Sequence, residues 1–177
     1  MTGFMQTLWD LLPPRLRPPA APTKRARPAQ RRPVRAAAGK NAAQARYDAV
    51  VAEMLAKYGV RVRKWRKSMS GIAWELIYHD GTVKRLLESP RPKGPMSMAI
   101  FLHEIGHHAI GFNVYKPRCL EEYHAWAFAL KAMEERGLNV TEAVKKRMKR
   151  SLKYAGDKAV RRGIKQLPPE LVEFMTA

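Results

Sequence analysis

The sequence predicts an α+β fold in which a small antiparallel β-sheet, or hairpin, packs on a helical core and follows a disordered basic arm. Strand-like runs flank Asp80 and Gly81, and apolar residues recur at helical spacing through most of the later chain. Residues 13–46 instead repeat proline and arginine. A chain of 177 residues suffices for one ordinary core and is too short for two large ones. We therefore expect a disordered arm over residues 1–46 and one folded domain over residues 47–177.

The composition indicates a polyanionic partner. The 34 basic and 15 acidic side chains give a net charge of +19, which exceeds what solubility needs. Nucleic acid is the first expectation, and an acidic protein or an anionic membrane surface is the second. The single cysteine, Cys119, excludes an intramolecular disulfide and an all-cysteine zinc site. Because we find no membrane-spanning run and no secretory signal, we expect a cytoplasmic protein, with a membrane as the least favoured partner.

The N-terminal arm is expected to act electrostatically. Residues 13–46 cannot bury enough apolar surface to offset the entropy lost on ordering, so we expect them to be disordered. Apolar residues recur at helical spacing within residues 3–12, where a short docking helix could form. The cations of the arm would neutralise phosphates regardless of base sequence. The nucleic-acid-binding candidates in the arm are Arg25, Arg27, Arg31 and Arg32.

The first elements of the folded domain are predicted to be a helix and a β-hairpin. Apolar residues recur every three or four positions from Tyr47 to Tyr58, and Gly59 is a stop signal. Farther along, Asp80 and Gly81 favour a type I′ turn between two strands. The first of these strands alternates to give one strongly apolar face, formed by Ile72, Trp74, Leu76 and Tyr78.

The second half of the domain is predicted to be helical. The break "SPRPKGP" precedes an apolar helix, "MSMAIFLHEIGHHAIGF", and a second helix, "CLEEYHAWAFALKAMEERG", ends at Gly137. Thr141 is suited to cap a third, strongly basic helix, in which ten residues of 145–165 are Lys or Arg. An apolar stripe from Val144 to Ala155 predicts that this helix docks on the core and presents its charge outward. Its nucleic-acid-binding candidates are Lys145, Lys146, Arg147, Lys149, Arg150, Arg161 and Arg162.

The sequence "HEIGH" at residues 103–107 has the pattern HExxH. Positions four apart lie on one face of a helix, so His103 and His107 can bind one metal ion. Zinc accepts such imidazole nitrogens and keeps a position open for water in catalytic sites. Glu104 is placed to act on that water as a general base without binding the metal. His108 faces another side of the helix, and we expect it to be satisfied or exposed.

A third metal ligand is expected from the following helix. No histidine stands at the spacing that metzincins use, whereas "EEYHAW" supplies three candidates in a helix that a tight connection makes antiparallel to the first. Glu121 and Glu122 differ by roughly 100° in direction around the helix, so they cannot serve equally. His124 could instead be the third ligand, or it could act as a catalytic residue that polarises the scissile carbonyl. These alternatives remain open on the residues alone.

The segment "FLHEIGHH" followed by "EEYHAWAFA" resembles the ImmA/IrrE family of gluzincin-like metallopeptidases, over about residues 47–135. The resemblance implies a zincin-like core and a zinc-dependent metalloendopeptidase that cleaves a DNA-bound repressor or a similar regulatory protein. Aligned on Phe128 and Ala129, it implies that Glu122 is the third zinc ligand. It places Trp126 where the family usually has Asp or Asn as a partner to a histidine.

Two functions are compatible with these features. The first is a zinc metalloendopeptidase that acts on a nucleic-acid-associated or regulatory protein, brought to DNA or to an acidic substrate by its basic segments. The alternative is a non-catalytic nucleic-acid-binding or structural protein on a metallopeptidase-like scaffold, in which the metal serves stability. If the strand from Trp74 to Tyr78 borders the cleft, a substrate peptide could add to its edge as an extra strand.

Overall fold

The structure is a computed structural model that describes residues 34–175, with side chains from residue 42 onward. Five helices and a three-stranded sheet form this part of the chain, which confirms the predicted α+β fold. The predicted short helix at residues 3–12 and the rest of the arm to residue 33 lie outside the described residues. In chain order the elements are α1 (Val34–Tyr58), β1 (Val60–Arg66), β2 (Ile72–Ile77), β3 (Val83–Pro90), α2 (Pro95–Ile110), α3 (Arg118–Glu135), α4 (Glu142–Arg161) and α5 (Pro169–Met175).

Helix α1 begins at Val34, earlier than the sequence predicted. Residues 34–46 were expected to belong to the disordered arm, but they continue the helix that begins to show apolar periodicity at Tyr47. Alanine, the strongest helix former, recurs in this stretch, and extending a helix costs much less than nucleating one. Val50 and Met54 are buried in the core and hold the C-terminal half of α1 in place.

The sheet contains the predicted hairpin and one further strand, in the order β1-β3-β2. Strands β2 and β3 are antiparallel, with Ile77 opposite Val83, and the turn between them contains Asp80 and Gly81. The predicted type I′ turn is wrong, because Gly81 has a φ of 80° but Asp80 has no positive φ, and residues 78–82 form a longer connection. The backbone N–H of Thr82 donates to Oδ1 of Asp80 at 2.9 Å. Strand β1 pairs in parallel with β3, so the sheet is mixed rather than wholly antiparallel. The sequence of β1, "VRVRKWR", alternates but contains so many cations that its apolar signal is weak.

Strand β2 leaves much of its apolar face exposed. The exposed fractions are 51% for Ile72 and 43% for Leu76, and Tyr78, just beyond the strand, is also 43% exposed. The central strand β3 packs on α2 instead and buries Leu87 completely. Within the described residues β2 pairs only with β3, so its outer backbone groups are available to another strand.

Helix α2 lies at the centre of the core, and every residue of Ser97–His108 is buried. At its start, Oγ of Ser97 accepts a hydrogen bond from the backbone N–H of Gly94 at 3.2 Å. Helix α3 packs closely on α2 at Gly106, which has no side chain to prevent the approach. A Cβ at this position would lie only 2.8 Å from the carbonyl oxygen of Ala125. This approach brings the HExxH pattern into contact with the first half of α3.

Helices α4 and α5 pack on α3 and on each other. The side chain of Thr141 accepts a hydrogen bond from the N–H of Val144 at 3.4 Å, which confirms the predicted N-cap. Val144 and Leu152 are fully buried, so the apolar stripe of α4 docks as predicted. In the part of the chain that the structure describes, no helix combines the length and the apolar character that crossing a membrane requires.

Candidate metal centre

Helix α2 brings the two histidines of the HExxH pattern to one face, as predicted. The ring centroids of His103 and His107 lie 4.8 Å apart. Both side chains are buried, with 8% and 5% of their surface exposed. The separation follows from the helical repeat, since residues four apart are about one turn apart.

Helix α3 completes the group with Glu122. Its Oε2 atom lies 3.4 Å from Nε2 of His103 and 3.8 Å from Nε2 of His107. The ligand atoms of the three residues all lie within 4.8 Å of one another. Ligands bound tetrahedrally to zinc at roughly 2.0–2.1 Å are themselves roughly 3.4 Å apart. The two distances from Glu122 are close to this value, and the widest separation in the group would have to shorten around an ion. The group could therefore hold a metal ion, and two imidazoles with one carboxylate form a ligand set that catalytic zinc sites use.

Glu121, the neighbour of Glu122 in the sequence, contacts the group through the ring of His107. Its side chain is almost fully buried, and its Oε1 lies 3.1 Å from Nδ1 of His107. Its Oε2 accepts a hydrogen bond from the backbone N–H of Asn113 at 3.1 Å. Because the carboxylate accepts, Nδ1 of His107 carries the proton and Nε2 keeps its lone pair for a metal. Of the two adjacent glutamates, Glu122 thus belongs to the group, and Glu121 contacts Nδ1 of His107.

The surroundings of His103 are apolar by comparison. Its ring packs against the indole of Trp126, with centroids 4.6 Å apart and an angle of 30° between the planes. Among the described residues, Nδ1 of His103 and Nε1 of Trp126 have no hydrogen-bond partner. His107 is therefore oriented by a hydrogen bond, whereas His103 is oriented by ring packing at the position where the resembled family has a polar residue.

Glu104 is buried beside the two histidines and lines the same cleft. Burial is the largest influence and raises the pKa of its carboxyl to about 7, although the neighbouring His103 acts in the opposite direction. A carboxyl group in this range can both accept and return a proton near neutral pH. The backbone at Gly71 lies directly against Glu104. A Cβ on Gly71 would overlap the carboxylate.

The other ionisable groups of the centre favour binding of a cation. Desolvation by burial lowers the pKa of His107 to about 4, so its imidazole is neutral at physiological pH, which is the form that binds metals. Burial alone would raise the pKa of Glu122, but a hydrogen bond with His103 and the charges around it outweigh burial and lower the pKa. The centre thus offers a neutral imidazole and an ionised carboxylate.

Two other histidines lie outside the group. His124, a candidate for the third ligand or for a catalytic role, stacks on Tyr115 with centroids 3.8 Å apart and does not line the cleft. It is two residues from Glu122 and so points roughly 200° away from it around α3. The placement of His124 gives neither role any support. His108 is buried; its Nε2 donates to the carbonyl oxygen of Leu86 at 3.1 Å, but its Nδ1 has no partner among the described residues, so the expected satisfaction holds for one ring nitrogen only.

The group lies in a cleft of about 800 Å³ whose lining comes from α2, α3, α4 and the loop before β2. Three of the nucleic-acid-binding candidates line this cleft: Arg147 and Arg150 on α4, and Arg162 immediately after it. Arg150 and Arg162 are exposed and Arg147 is half-buried, which agrees with the prediction that the helix presents its charge outward. Their spacing gives the helix a basic face separate from its buried stripe, and part of that face borders the cleft.

The remaining basic candidates lie elsewhere. Lys145 pairs with Glu142 at 2.9 Å. Lys146, Lys149 and Arg161 are exposed and do not line the cleft. The nucleic-acid-binding role of all these residues stays a prediction. The arm candidates lie outside the described residues; they are Arg25, Arg27, Arg31 and Arg32.

Gly71, Arg118 and Lys158 are among the cleft residues that the sequence prediction did not name. A signal existed for two of them. Arg118 precedes Glu122 by four positions and therefore shares its face of α3. Lys158 follows Arg150 by eight positions, so it shares a face of α4 with that residue. Gly71 comes from a loop, whose position no periodicity could predict.

Comparisons of the chain with protein-family models, with curated proteins and with solved structures found no match. The resemblance to the ImmA/IrrE family therefore depends on the motif residues alone. What that family implies for zinc and for catalysis enters only as part of a proposal.

Proposed function

We propose that the chain is a zinc-dependent metalloendopeptidase of the gluzincin type, similar to the ImmA/IrrE family. The observation that carries this proposal is the convergence of His103, His107 and Glu122 within 4.8 Å of one another, beside Glu104 and in an open cleft. Ionisable side chains that are buried this deeply carry a desolvation cost, which a bound cation would offset.

Each residue of the centre has a role in this proposal. When bound, a zinc ion would polarise the substrate carbonyl and make water more acidic. Glu104 takes a proton from the water that attacks the scissile carbonyl and returns it to the leaving amine. His103, His107 and Glu122 hold the ion, and Glu121 keeps the ring of His107 in its tautomer and orientation.

Strand β2 offers the substrate an edge on which to dock. Ser70 and Gly71 line the cleft immediately before β2 begins at Ile72, so the free edge of the sheet starts beside Glu104. We propose that a substrate peptide adds to this edge as an extra strand and brings its scissile carbonyl over the metal centre. A substrate complex with the peptide bound elsewhere would contradict this arrangement.

The proposed substrate is a nucleic-acid-associated or regulatory protein in the cytoplasm. The net charge of +19 supports a polyanionic partner. The exposed Lys146, Lys149 and Arg161 leave cations on α4 for that purpose outside the cleft. The lone cysteine, Cys119, is buried and unpaired, which fits a reducing compartment.

Zinc content and proteolysis test this function together. Full-length protein purified without added zinc should contain zinc, and Glu122→Ala should lose it. Cleavage of a mixture of peptides should stop with a chelator and in Glu104→Gln, which should keep its zinc. Glu134→Gln changes an exposed carboxylate on the same helix as Glu122 and should keep both properties. Retained cleavage in Glu104→Gln would exclude the proposed mechanism.

A second candidate function is a non-catalytic nucleic-acid-binding or structural protein with a stabilising metal. It is favoured by Trp126, which gives His103 no hydrogen-bond acceptor, and by the excess of cations. This function predicts binding to duplex or single-stranded DNA that weakens steeply as salt is added. Electrophoretic mobility at low and high salt would test it, with Glu104→Gln expected to bind as the unmodified protein does and neither protein expected to cleave peptides.

A further inference from the structure

The basic side chains of the cleft form a surface next to the metal centre, here called the basic wall: Arg118, Arg147, Arg150, Lys158 and Arg162. We propose that the basic wall selects substrates with acidic side chains near the scissile bond. The inference rests on the peptidase function proposed above and names the class of its substrate. Because the basic wall and Glu104 line one cleft, a peptide that reaches the general base also meets these cations.

The basic wall is a product of helical spacing. Three members lie on α4 and Arg162 immediately follows it; the intervals between the four are three, eight and four residues, which place them along one face. Ser151 and Tyr154 lie among them on the same lining, and Tyr154 is 62% exposed. From α3, Nε of Arg118 lies 3.9 Å from Oε1 of Glu122, so the basic wall reaches the metal centre itself.

The charge of the basic wall is largely uncompensated. Arg150, Lys158 and Arg162 form no ion pair with any residue of 42–175. Among the described residues, the acidic side chains of the lining are Glu104 and Glu122 alone. Clefts lined by charge of one sign concentrate ligands of the opposite sign. The cleft is therefore electrostatically suited to an anionic ligand, more so with a divalent cation present.

Arg147 connects the basic wall to the strand edge. Its Nη2 donates a hydrogen bond to the carbonyl oxygen of Met69 at 3.1 Å, and so joins α4 to the loop that leads into β2. This bond maintains the distance between the basic wall and the edge where the substrate is proposed to dock. Arg147 is therefore a positioning residue, whereas Arg150 and Lys158 are free to bind a ligand.

An acidic peptide suits this cleft better than nucleic acid does. A volume of about 800 Å³ is typical of pockets for small ligands, whereas specific nucleic-acid interfaces extend over much larger surfaces. A peptide paired with β2 would direct every second side chain to one side. Guanidinium groups bind carboxylates through two parallel hydrogen bonds. The basic wall can thus distinguish Asp and Glu from neutral residues.

Binding to the catalytically impaired protein tests the selectivity without cleavage. Full-length Glu104→Gln protein, loaded with zinc, would be titrated against fluorescent probes of equal length. The probes are a peptide containing Asp and Glu, its counterpart with Asn and Gln, and a single-stranded oligonucleotide. We expect the acidic peptide to bind about tenfold more tightly than the neutral one and more tightly than the oligonucleotide, as measured by fluorescence anisotropy.

A charge-reversal variant and a matched control locate the effect. Adding Arg150→Glu and Lys158→Glu should reduce binding of the acidic peptide to the level of the neutral peptide. The control adds Lys64→Glu and Lys131→Glu, which change the net charge equally at exposed positions that do not line the cleft, and it should keep the selectivity. Circular dichroism melting curves would show that both variants fold.

Each outcome decides the proposal. Equal binding of the two peptides would overturn it, as would equal losses in the charge-reversal variant and in the control. Tighter binding of the oligonucleotide, lost on charge reversal, would overturn it in favour of nucleic acid. If the unmodified protein cleaves peptides without a preference for nearby Asp or Glu, the peptidase function is supported and the proposed selectivity of the basic wall is excluded. If the acidic probe is selected but no peptide is cleaved, the preference of the basic wall for acidic peptides is supported and the peptidase function is excluded.

Discussion

Nδ1 of His107 donates a hydrogen bond to Oε1 of the buried Glu121 over 3.1 Å. The same carboxylate accepts the backbone N–H of Asn113, so it is held on both oxygens. Carboxylates behind a metal-binding histidine raise its basicity and restrict its rotation. Nδ1 of His103 has no such partner among the described residues, and its ring packs against Trp126 instead, so the metal centre is asymmetric.

Loss of the carboxylate behind His107 should weaken zinc binding. We expect Glu121→Gln to reduce zinc affinity about tenfold and Glu121→Ala closer to about a hundredfold, because Gln offers the ring only a neutral acceptor and Ala offers none. Competition with a chromophoric chelator measures the change. The exposed Glu134→Gln on the same helix should have no effect. Unchanged affinity in Glu121→Ala would show that the hydrogen bond does not orient the ligand.

The indole of Trp126 packs against His103, and we expect it to stabilise the protein by filling this volume and not by hydrogen bonding through its N–H. Trp126 is 2% exposed and its Nε1 has no partner among the described residues. We expect Trp126→Phe to preserve zinc binding and most of the stability. Trp126→Ala should lower the free energy of unfolding by about 3–5 kcal/mol, as for other large core truncations. Urea unfolding with and without zinc measures both, and similar losses in the two variants would contradict this account.

The ion pair between Glu53 and Arg136 should give a stability that depends on pH. Two hydrogen bonds, at 2.6 and 3.2 Å, join the carboxylate on α1 to the guanidinium at the end of α3. Hydrogen bonding to Arg136 is the main cause that lowers the pKa of Glu53. A carboxyl group with a lower pKa in the folded state contributes stability above its unfolded pKa, and loses it as the pH falls through the folded value.

Glu53→Gln should therefore reduce the free energy of unfolding near neutral pH by less than about 1 kcal/mol, because the carboxylate is half exposed and solvent screens its charge. The difference from the unmodified protein should disappear in acid, below the folded pKa of Glu53. Urea unfolding at neutral and acidic pH measures it. A difference that persists in acid would show that packing, and not the charge, is the cause.

The fold could be predicted where periodicity or turn chemistry was strong. The hairpin about Asp80 and Gly81 and the apolar stripe of α4 both follow from local rules, and both are confirmed. Strand β1 was missed because its pairing with β3 is parallel and non-local, and its cations conceal its alternation. The start of α1 at Val34 was missed because proline and arginine in the arm outweighed the alanines that follow.

The candidate site could be predicted in part. The i, i+4 spacing placed His103 and His107 together, since both lie on one helix. The choice between Glu121 and Glu122 depends on how α3 is rotated against α2, which is a tertiary property set by contacts such as Gly106 on Ala125. The direction in which α4 presents its cations depends in the same way on docking of its apolar stripe.

Gly71 offers a way to displace the general base. A Cβ at this position would overlap both the carboxylate and Cγ of the buried Glu104, so the whole side chain would have to move aside. We expect Gly71→Ala to fold and bind zinc but to lose most peptide cleavage, because the carboxylate no longer meets the attacking water. Gly94→Ala, where a Cβ meets nothing within 4 Å, is the matched control and should remain active. Full cleavage by Gly71→Ala would mean that the position of Glu104 against this backbone is not required for catalysis.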